Sequence, residues 1–425
     1  MTEPMEPDTA NSLWDAASAV AQSAHPETLD RAAGCLAVAL NDMLVSSRTP
    51  RHRAVASALA AGDGPCTVTG SPRGACLPNA VAANAYLMHA RLTDDSFEVA
   101  AHPGLTVVPV ALAAAEHAAD VTGIMPTGQA VLRAVVGGYE IACRLAERLL
   151  PQVSSRGWRV TSVIAPLSAA ATLALMLDLP SETACDAIAL AATTAGGPLA
   201  VVSTSGDGWR LQPALAVQAG VSAALAAQAG LRIGADYLAA RHGYYELFGA
   251  AMPITRKPGA PAVHAVTFKR YPVAMYGQSI FDAFGKLPTL TGQATRSSIT
   301  VAPFAARYGS QNEASITSIS SVPGIALQAL REFHPDLDIR LLEDTGQLVV
   351  IPDPHIDPLS ARISIELADG SQYAAVGNGD TRQWDATDFR QHCVTTSGSA
   401  DLCDAAYRIS AEDSLEKLLE IWRAS

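Results

Sequence analysis

The chain has 425 residues, of which 49% are hydrophobic and 16% are charged, a composition that excludes extensive disorder and predicts a well-buried protein of two domains. The formal net charge is −12 and no block of Lys or Arg offsets it, so neither nucleic acid nor an anionic membrane is expected as a partner. Scattered cysteines without CxxC spacing and an acidic N-terminal sequence without signal-peptide features indicate reduced thiols in a cytoplasmic protein.

The first part of the chain is predicted to be helical. Between about residues 12 and 249, Ala-, Leu- and Val-rich stretches of helical length alternate with short Gly, Pro and Asp punctuation, which predicts an all-helical domain over residues 1–255. The run 160–177 is apolar, but Thr, Ser and Pro interrupt it, which favours a buried core helix over a membrane span. The predicted helices cover residues 12–24, 27–46, 78–92, 106–122, 127–149, 160–178, 181–194, 209–230 and 234–248.

A second, smaller domain is predicted to follow a proline-rich boundary. Residues 253–263 contain three prolines and a glycine, and such a cluster is typical of a linker. Short β-rich runs and two helical segments, about 275–287 and 315–333, then predict an α+β domain over residues 256–395. Within it, the segment ARISIELADGSQYAAV is predicted to form a hairpin that turns near Asp369 and Gly370.

Residues 396–425 are predicted to contain a C-terminal helix. Ser410 and Asp413 have capping-box spacing, which predicts that the helix begins there. An apolar stripe follows, formed by Leu415, Leu418, Leu419 and Trp422. Such a stripe needs a partner surface to cover it.

The stretch DDSFEVAAHPG places Asp94 and Asp95 shortly before His102. A metal site is not favoured, because the sequence lacks HExxH, a second nearby histidine and an EF-hand loop. Phosphate-binding glycine loops and a GxSxG elbow are also missing, so neither a nucleotide cofactor nor serine-hydrolase chemistry is expected. Two interpretations remain open: proton transfer by the loop histidine, and a polar cap of the helix that starts near Leu105.

A series of motifs resembles the MmgE/PrpD superfamily, whose members include dehydratases, a decarboxylase and an epimerase of organic acids. In chain order the motifs are LPNAVAANAYLMHA, DDSFEVAAHPG, VVGGYEIACR, GWRVTS, GDGWRLQPAL, FKRYPVAMYGQSIFDA and SISSVPGIALQAL. The resemblance implies a mainly α fold: a large helical domain, a smaller α+β lid, C-terminal helices that return to the helical domain, and an active site between the domains. It also implies a homodimer that needs no cofactor and abstracts a proton next to a carboxylate.

The resemblance assigns site residues. Asp95, Ser96 and His102 match the family's Asp-Asp-Thr and His-Pro positions, and Lys269 and Tyr271 match its KxYP motif. Several polar residues of the family are replaced in this chain. Leu92 stands in place of an acidic residue, Arg159 in place of a histidine, Trp209 followed by Arg210 in place of a lysine motif, Gln278 in place of a histidine and Gly324 in place of a tyrosine. These changes remove ionisable groups and imply a cavity shaped for a bulkier, less polycarboxylated ligand.

The predicted function is that of a lyase or isomerase acting on an organic acid or a related carbonyl compound. His102 is expected to move the proton with the assistance of Asp95, while Arg159 and Arg210 bind the carboxylate or stabilise an enolate-like transition state. Ser96 and the residues Trp209, Lys269, Tyr271, Gln278 and Gly324 are expected to bind or orient the substrate.

Two other functions remain open: a pocket recruited for cyclisation or isomerisation in specialised metabolism, and an inactive metabolite-binding protein. Structural roles also remain open for individual residues. The arginines could form surface ion pairs, Trp158 and Trp209 could be core packing, Lys269 and Tyr271 could hold the lid, His89 could be a core residue, and Asp94 could be a solvated cap or an orienting residue.

Overall fold

The computed structural model describes residues 8–150, 152–234, 237–249, 260–309, 319–344, 346–378, 384–412 and 415–424. The chain divides into two compact units. The helical unit consists of Met1–Pro198, Arg210–Val266 and Trp384–Ser425, and the α+β unit consists of Leu199–Trp209 and Thr267–Gln383. Because helices predominate in the described residues, the prediction of a mainly α protein is confirmed.

The helices are numbered here in chain order. The first twelve are α1 (Ala10–Gln22), α2 (Pro26–Ser47), α3 (Pro50–Leu59), α4 (Leu77–His89), α5 (Gly104–Thr122), α6 (Gly128–Leu149), α7 (Gln152–Ser155), α8 (Val160–Met176), α9 (Ser181–Ala192), α10 (Ala200–Ser203), α11 (Gly208–Gln228) and α12 (Tyr244–Phe248). After them come α13 (Gly277–Gly285), α14 (Pro303–Ala306), α15 (Val322–Phe333), α16 (Arg340–Asp344), α17 (Ala386–Ser397), α18 (Asp401–Glu412) and α19 (Leu415–Ala424).

Small residues let the central helices of the helical unit approach closely. A Cβ atom on Gly138 of α6 would lie 2.2 Å from Thr172 Oγ1 of α8 and 2.7 Å from a methyl group of Val107 on α5. A Cβ atom on Gly220 of α11 would lie 2.2 Å from the carbonyl oxygen of Pro166 on α8. Since real Cβ atoms do not approach other atoms so closely, the Gly- and Ala-rich composition is what permits this packing.

Two apolar helices form the centre of the helical unit. Helix α8 corresponds to the predicted core segment, and nearly all of its side chains are buried, so that prediction is confirmed. Helix α5 is long and apolar enough to cross a membrane by length and composition, but 72% of its most apolar window is buried within the protein. Such burial is typical of a core helix in a soluble protein.

The α+β unit contains a five-stranded sheet centred on β1 (Gly292–Val301). The other strands are β2 (Leu337–Asp338), β3 (Leu348–Pro352), β4 (Ala361–Leu367) and β5 (Gln372–Gly377). Strand β1 pairs in parallel with β2 and β3 and antiparallel with β4. Strands β4 and β5 form the predicted hairpin, and Gly370 at its turn has a φ of 85°, which glycine adopts without a steric penalty.

Three local predictions are wrong. The predicted helix 234–248 is confined to α12, because turns occupy residues 237–243 and His242 has a φ of 62°; residues 235–236 lie outside the described part. The helix predicted over 315–333 begins only at Val322, where Ser321 caps it and Pro323 occupies its first turn; residues 315–318 are also outside. Ser410 does not start a helix, because it lies within α18 and its hydroxyl donates to Tyr407 O.

The C-terminal helices belong to the helical unit. Helices α17 and α18 both pack against α2. The apolar stripe of α19 is buried along its length, which confirms that it covers a partner surface, and Trp422 Nε1 donates to Thr69 Oγ1 at 3.0 Å. Asp413, the second member of the predicted capping box, lies outside the described residues.

Candidate active site

The candidate site is built by the loop between α4 and α5. The loop turns sharply, with Leu92 and Glu98 at φ values of 59° and 51°, a conformation that costs energy in residues with a Cβ atom. Two backbone hydrogen bonds between Phe97 and Ala101 close it. Thr93 Oγ1 donates to Asp42 Oδ1 of α2 at 2.7 Å. These contacts bring the two aspartates of the loop next to the histidine at its end.

The imidazole of His102 faces oxygen atoms through Nδ1. This nitrogen lies 3.0 Å from the carbonyl oxygen of Asp95 and 3.2 Å from Asp94 Oδ2. Because a carbonyl oxygen and a carboxylate oxygen both accept hydrogen bonds, Nδ1 is assigned the proton, and Nε2 of the neutral ring holds the lone pair. Only 7% of His102 is exposed. The ring therefore has the tautomer that a general base acting through Nε2 requires.

A second imidazole, His89, shares the same carboxylate oxygen. Its Nδ1 lies 2.9 Å from Asp94 Oδ2, and its Nε2 lies 2.7 Å from a terminal nitrogen of Arg159. Burial lowers the pKa of His89 to about 3, against the attraction of Asp94. Burial also lowers the pKa of Arg159 to about 10, so the guanidinium stays protonated at neutral pH.

The side chain of Asp95 holds the beginning of α5. Its Oδ1 accepts a hydrogen bond from the Gly104 amide at 2.9 Å, and its Oδ2 accepts one from the Tyr139 hydroxyl at 2.7 Å. Burial raises the pKa of Tyr139 well above 10, so the phenol remains a donor. The carboxylate beside the His102 ring is that of Asp94, whereas Asp95 contributes its carbonyl oxygen to the ring.

The structure brings several predicted residues together in the helical unit. Arg159 reaches His102 through His89 and Asp94, and Arg210 Nε donates to Ala90 O, one residue after His89, at 2.6 Å. Ser96 Oγ donates to Ala101 O within the same loop. Neither a surface ion pair for Arg159 nor a solvated cap for Asp94 fits, because both residues are buried.

The remaining predicted residues lie in the α+β unit, and they are Trp209, Lys269, Tyr271, Gln278 and Gly324. The Gln278 amide contacts the backbone of the loop before α13, accepting from the amides of Arg270 and Tyr271 and donating to Tyr271 O. The Tyr271 ring packs on Phe281, and Gly324 lies in the first turn of α15. Trp209 and Lys269 are almost completely buried. Gln278 and Tyr271 thus shape one loop together.

His89 and Asp94 are members of the cluster to which the sequence assigns no catalytic role, although it leaves an orienting role open for Asp94. The available signal is a histidine in the last turn of a helix, five positions before a carboxylate. That spacing alone does not place the two side chains in contact, because the chain leaves the helix between them. The contact depends on the positive φ of Leu92, which periodicity does not predict.

The ligand-type atoms of His89, Asp94 and His102 lie within 4.8 Å of one another, a composition that could hold a metal ion. A metal bound through the two Nδ1 atoms would replace the proton that His89 shares with Asp94 and the proton that His102 shares with the carbonyl oxygen of Asp95. It would also place a second positive charge near Arg159. The hydrogen-bonded arrangement satisfies these groups without an added cation.

Comparison with protein families identifies the class of the chain. The model of the MmgE/PrpD N-terminal domain matches residues 14–256, which is more than half of the chain. The protein therefore belongs to the MmgE/PrpD superfamily, whose members are typically lyases or isomerases. No curated protein matches the chain.

Proposed function

We propose that the protein is a cofactor-independent lyase or isomerase that abstracts a proton next to the carboxylate of an organic acid, with His102 as the base. The observation that carries this proposal is the position of His102 Nδ1 against two acceptor oxygens, which leaves Nε2 as the basic nitrogen. Membership of a family of dehydratase-like enzymes supports the reaction class.

In this proposal Asp94 orients the ring and stabilises the imidazolium that forms when His102 takes the proton. Arg159 supplies a fixed positive charge to the same cluster, and such a charge, aimed at a developing enolate, contributes about 3–4 kcal/mol to transition-state stabilisation. Ser96 and Arg210 bind the substrate from the helical unit. Loss of water, loss of CO2 or return of the proton to the opposite face then completes the dehydration, decarboxylation or epimerisation.

The proposal also includes a small-molecule substrate, a homodimer, a cytoplasmic location and an orienting role for the predicted residues of the α+β unit. These are Trp209, Lys269, Tyr271, Gln278 and Gly324. The family membership supports the substrate class, the homodimer and the orienting roles, and the scattered cysteines without CxxC spacing support the location.

Deuterium exchange tests the proposal whichever product the reaction forms. A panel of mono-, di- and tricarboxylic acids is incubated in D2O with the protein and with His102→Gln, and label at the carbon next to the carboxyl group is followed by NMR. We expect enzyme-dependent exchange or product formation with at least one acid, slowed by about 10²–10⁴-fold in the variant. Equal rates for the two proteins would exclude His102 as the base.

A second candidate is a pocket used for cyclisation or isomerisation of a bulkier compound in specialised metabolism. The contact between Arg159 and His89 favours it, because a guanidinium and a neutral imidazole add shape and hydrogen bonding but little acid–base capacity. Under this alternative, His102→Ala slows turnover only modestly, whereas Trp209→Ala reduces it strongly. Tight binding of a metabolite without turnover would instead identify an inactive binding protein.

A further inference from the structure

We propose that Arg159, in addition to the charge that it supplies to the site, acts on His102 indirectly, as a positioning residue. Its hydrogen bond fixes the lone pair of the buried, neutral His89 ring on Nε2, and Asp94, which accepts from His89, helps to keep the proton of His102 on Nδ1. The candidate site would then contain two imidazoles of which His89 orients the cluster and His102 takes up the proton. The catalytic importance of this arrangement rests on the proposed function, whereas the arrangement itself does not.

The hydrogen bond between Arg159 and His89 determines where the proton of His89 lies. His89 Nε2 is 2.7 Å from a terminal nitrogen of Arg159, and a guanidinium has only donors and no lone pair. Nε2 must therefore accept this hydrogen bond. Adding a proton to Nε2 would set two N–H groups and two positive charges against each other in a buried site. His89 consequently stays neutral, with its own proton on Nδ1.

The carboxylate of Asp94 lies between the two imidazoles. The Nδ1 proton of His89 points to Asp94 Oδ2 at 2.9 Å, and His102 Nδ1 lies 3.2 Å from the same oxygen. The same carboxylate oxygen therefore faces the Nδ1 atoms of two rings whose centroids are 5.0 Å apart and whose planes meet at 62°. It accepts the proton of His89, while the proton of His102 lies between it and the carbonyl oxygen of Asp95, so Asp94 contributes to the orientation of both rings.

The surrounding elements supply further charged and titratable groups. Among the described residues these include Asp95 on the loop, Tyr139 on α6, Arg159 at the start of α8, Arg210 on α11, and Cys35 and Asp42 on α2. Asp95 is engaged by Tyr139 and Gly104, and Asp42 accepts from Thr93. Arg159 donates to an imidazole nitrogen, so its removal should change the tautomer of His89.

Nitrogen NMR on histidine-labelled protein tests the tautomers directly. The ten histidines are assigned by single His→Gln variants, and ring 15N shifts are recorded from pH 5 to pH 9. We expect both rings to carry a proton on Nδ1 at neutral pH, and His89 to remain the neutral Nδ1–H tautomer throughout. His334 serves as an internal control, because its contacts require the opposite tautomer, with the proton on Nε2. Its Nδ1 accepts from Leu290 N, and its Nε2 faces Phe284 O.

Variants then test the part played by the guanidinium. Arg159→Met removes the donor to His89 Nε2 and should therefore let His89 populate the Nε2–H tautomer, whereas Arg159→Lys, which keeps a cationic donor, should restore the original tautomer in part. Arg210→Met is the matched control, since that side chain donates to a backbone carbonyl near the site, and it should leave the His89 tautomer unchanged. Thermal unfolding confirms that each variant is folded.

The outcomes separate the two proposals. An Nε2–H tautomer at His89, or joint titration of His89 and His102 in the unaltered protein, would overturn the positioning role even if His102 is essential for deuterium exchange. Unchanged His89 behaviour in Arg159→Met would overturn it as well. Absence of exchange with any acid would count against the proposed function and leave the tautomer result intact.

Discussion

At Asp94 one carboxylate oxygen accepts a hydrogen bond from the imidazole of His89 and lies 3.2 Å from Nδ1 of His102. Replacing this residue with asparagine keeps its size but removes the charge, and the amide can present a donor to both Nδ1–H groups. The rings would then turn or change tautomer, as happens when the orienting carboxylate of a catalytic histidine is replaced.

We therefore expect Asp94→Asn to slow deuterium exchange by about 10²–10⁴-fold while the protein remains folded. Asp369→Asn, in the exposed turn between β4 and β5, is the control and should exchange at the original rate. Exchange in Asp94→Asn at the rate of the control would show that the His102 ring does not depend on this carboxylate.

Two buried histidines make stability depend on pH. Burial lowers the pKa of His89 to about 3 and that of His392 to about 4. Below pH ~6.5 the unfolded chain binds protons at these rings that the folded protein does not bind, so the free energy of unfolding falls as the pH is lowered. Each ring contributes a slope of about 1.4 kcal/mol per pH unit between its unfolded and folded pKa values.

Urea unfolding between pH 4.5 and pH 7 measures this slope. We expect His392→Phe, which removes one of the two titrating rings, to reduce the slope by about one proton equivalent. His355→Phe alters an exposed histidine and should leave the slope unchanged. The same slope in all three proteins would contradict the assignment of His392 as a buried neutral ring.

At the scale of elements, the start of α5 requires a residue without a side chain, and Gly104 provides it. A Cβ atom on Gly104 would lie 2.7 Å from both Asp95 Oδ1 and the Tyr139 hydroxyl. Because the three groups are buried together, a methyl group there would separate the carboxylate from its two donors.

Gly104→Ala is therefore expected to lower the free energy of unfolding by about 1–3 kcal/mol and to slow deuterium exchange, since His102 lies two residues before it. Gly234→Ala is the matched control, because nothing lies within 4 Å of the Cβ position there. Urea unfolding and the exchange assay compare the two, and equal behaviour would show that the loop adapts without loss.

The elements themselves can be predicted where the signal is local. Helix α8, the hairpin of β4 and β5, and the apolar stripe of α19 follow from periodicity and turn residues that each segment carries by itself. The candidate site can be predicted only in part. The motifs point to His102 and Arg159. They also predict that Asp95 assists His102, whereas the carboxylate beside the ring is that of Asp94. This difference depends on backbone angles in the loop, which periodicity does not predict.

At the scale of the molecule, the last helix completes the helical unit. Trp422 is 1% exposed and donates to Thr69, although the two residues are far apart in the chain. Long-range contacts of this kind should contribute to the stability of the whole unit.

We expect Trp422→Ala to lower the free energy of unfolding by about 3–5 kcal/mol, the usual effect of deleting a buried aromatic side chain. Lys417→Ala changes an exposed residue of the same helix and should have an effect below about 0.5 kcal/mol. Chemical denaturation measures both, and a small effect of Trp422→Ala would mean that α19 is only loosely docked.

The order of segments in the helical unit has a consequence for synthesis. A nascent chain that has reached residue 383 has completed the α+β unit, yet the surface of α2 against which α17 and α18 pack has no cover. Apolar side chains of the earlier helices are therefore exposed during synthesis until the last helices emerge from the ribosome. Transiently exposed surface of this kind is what chaperones bind.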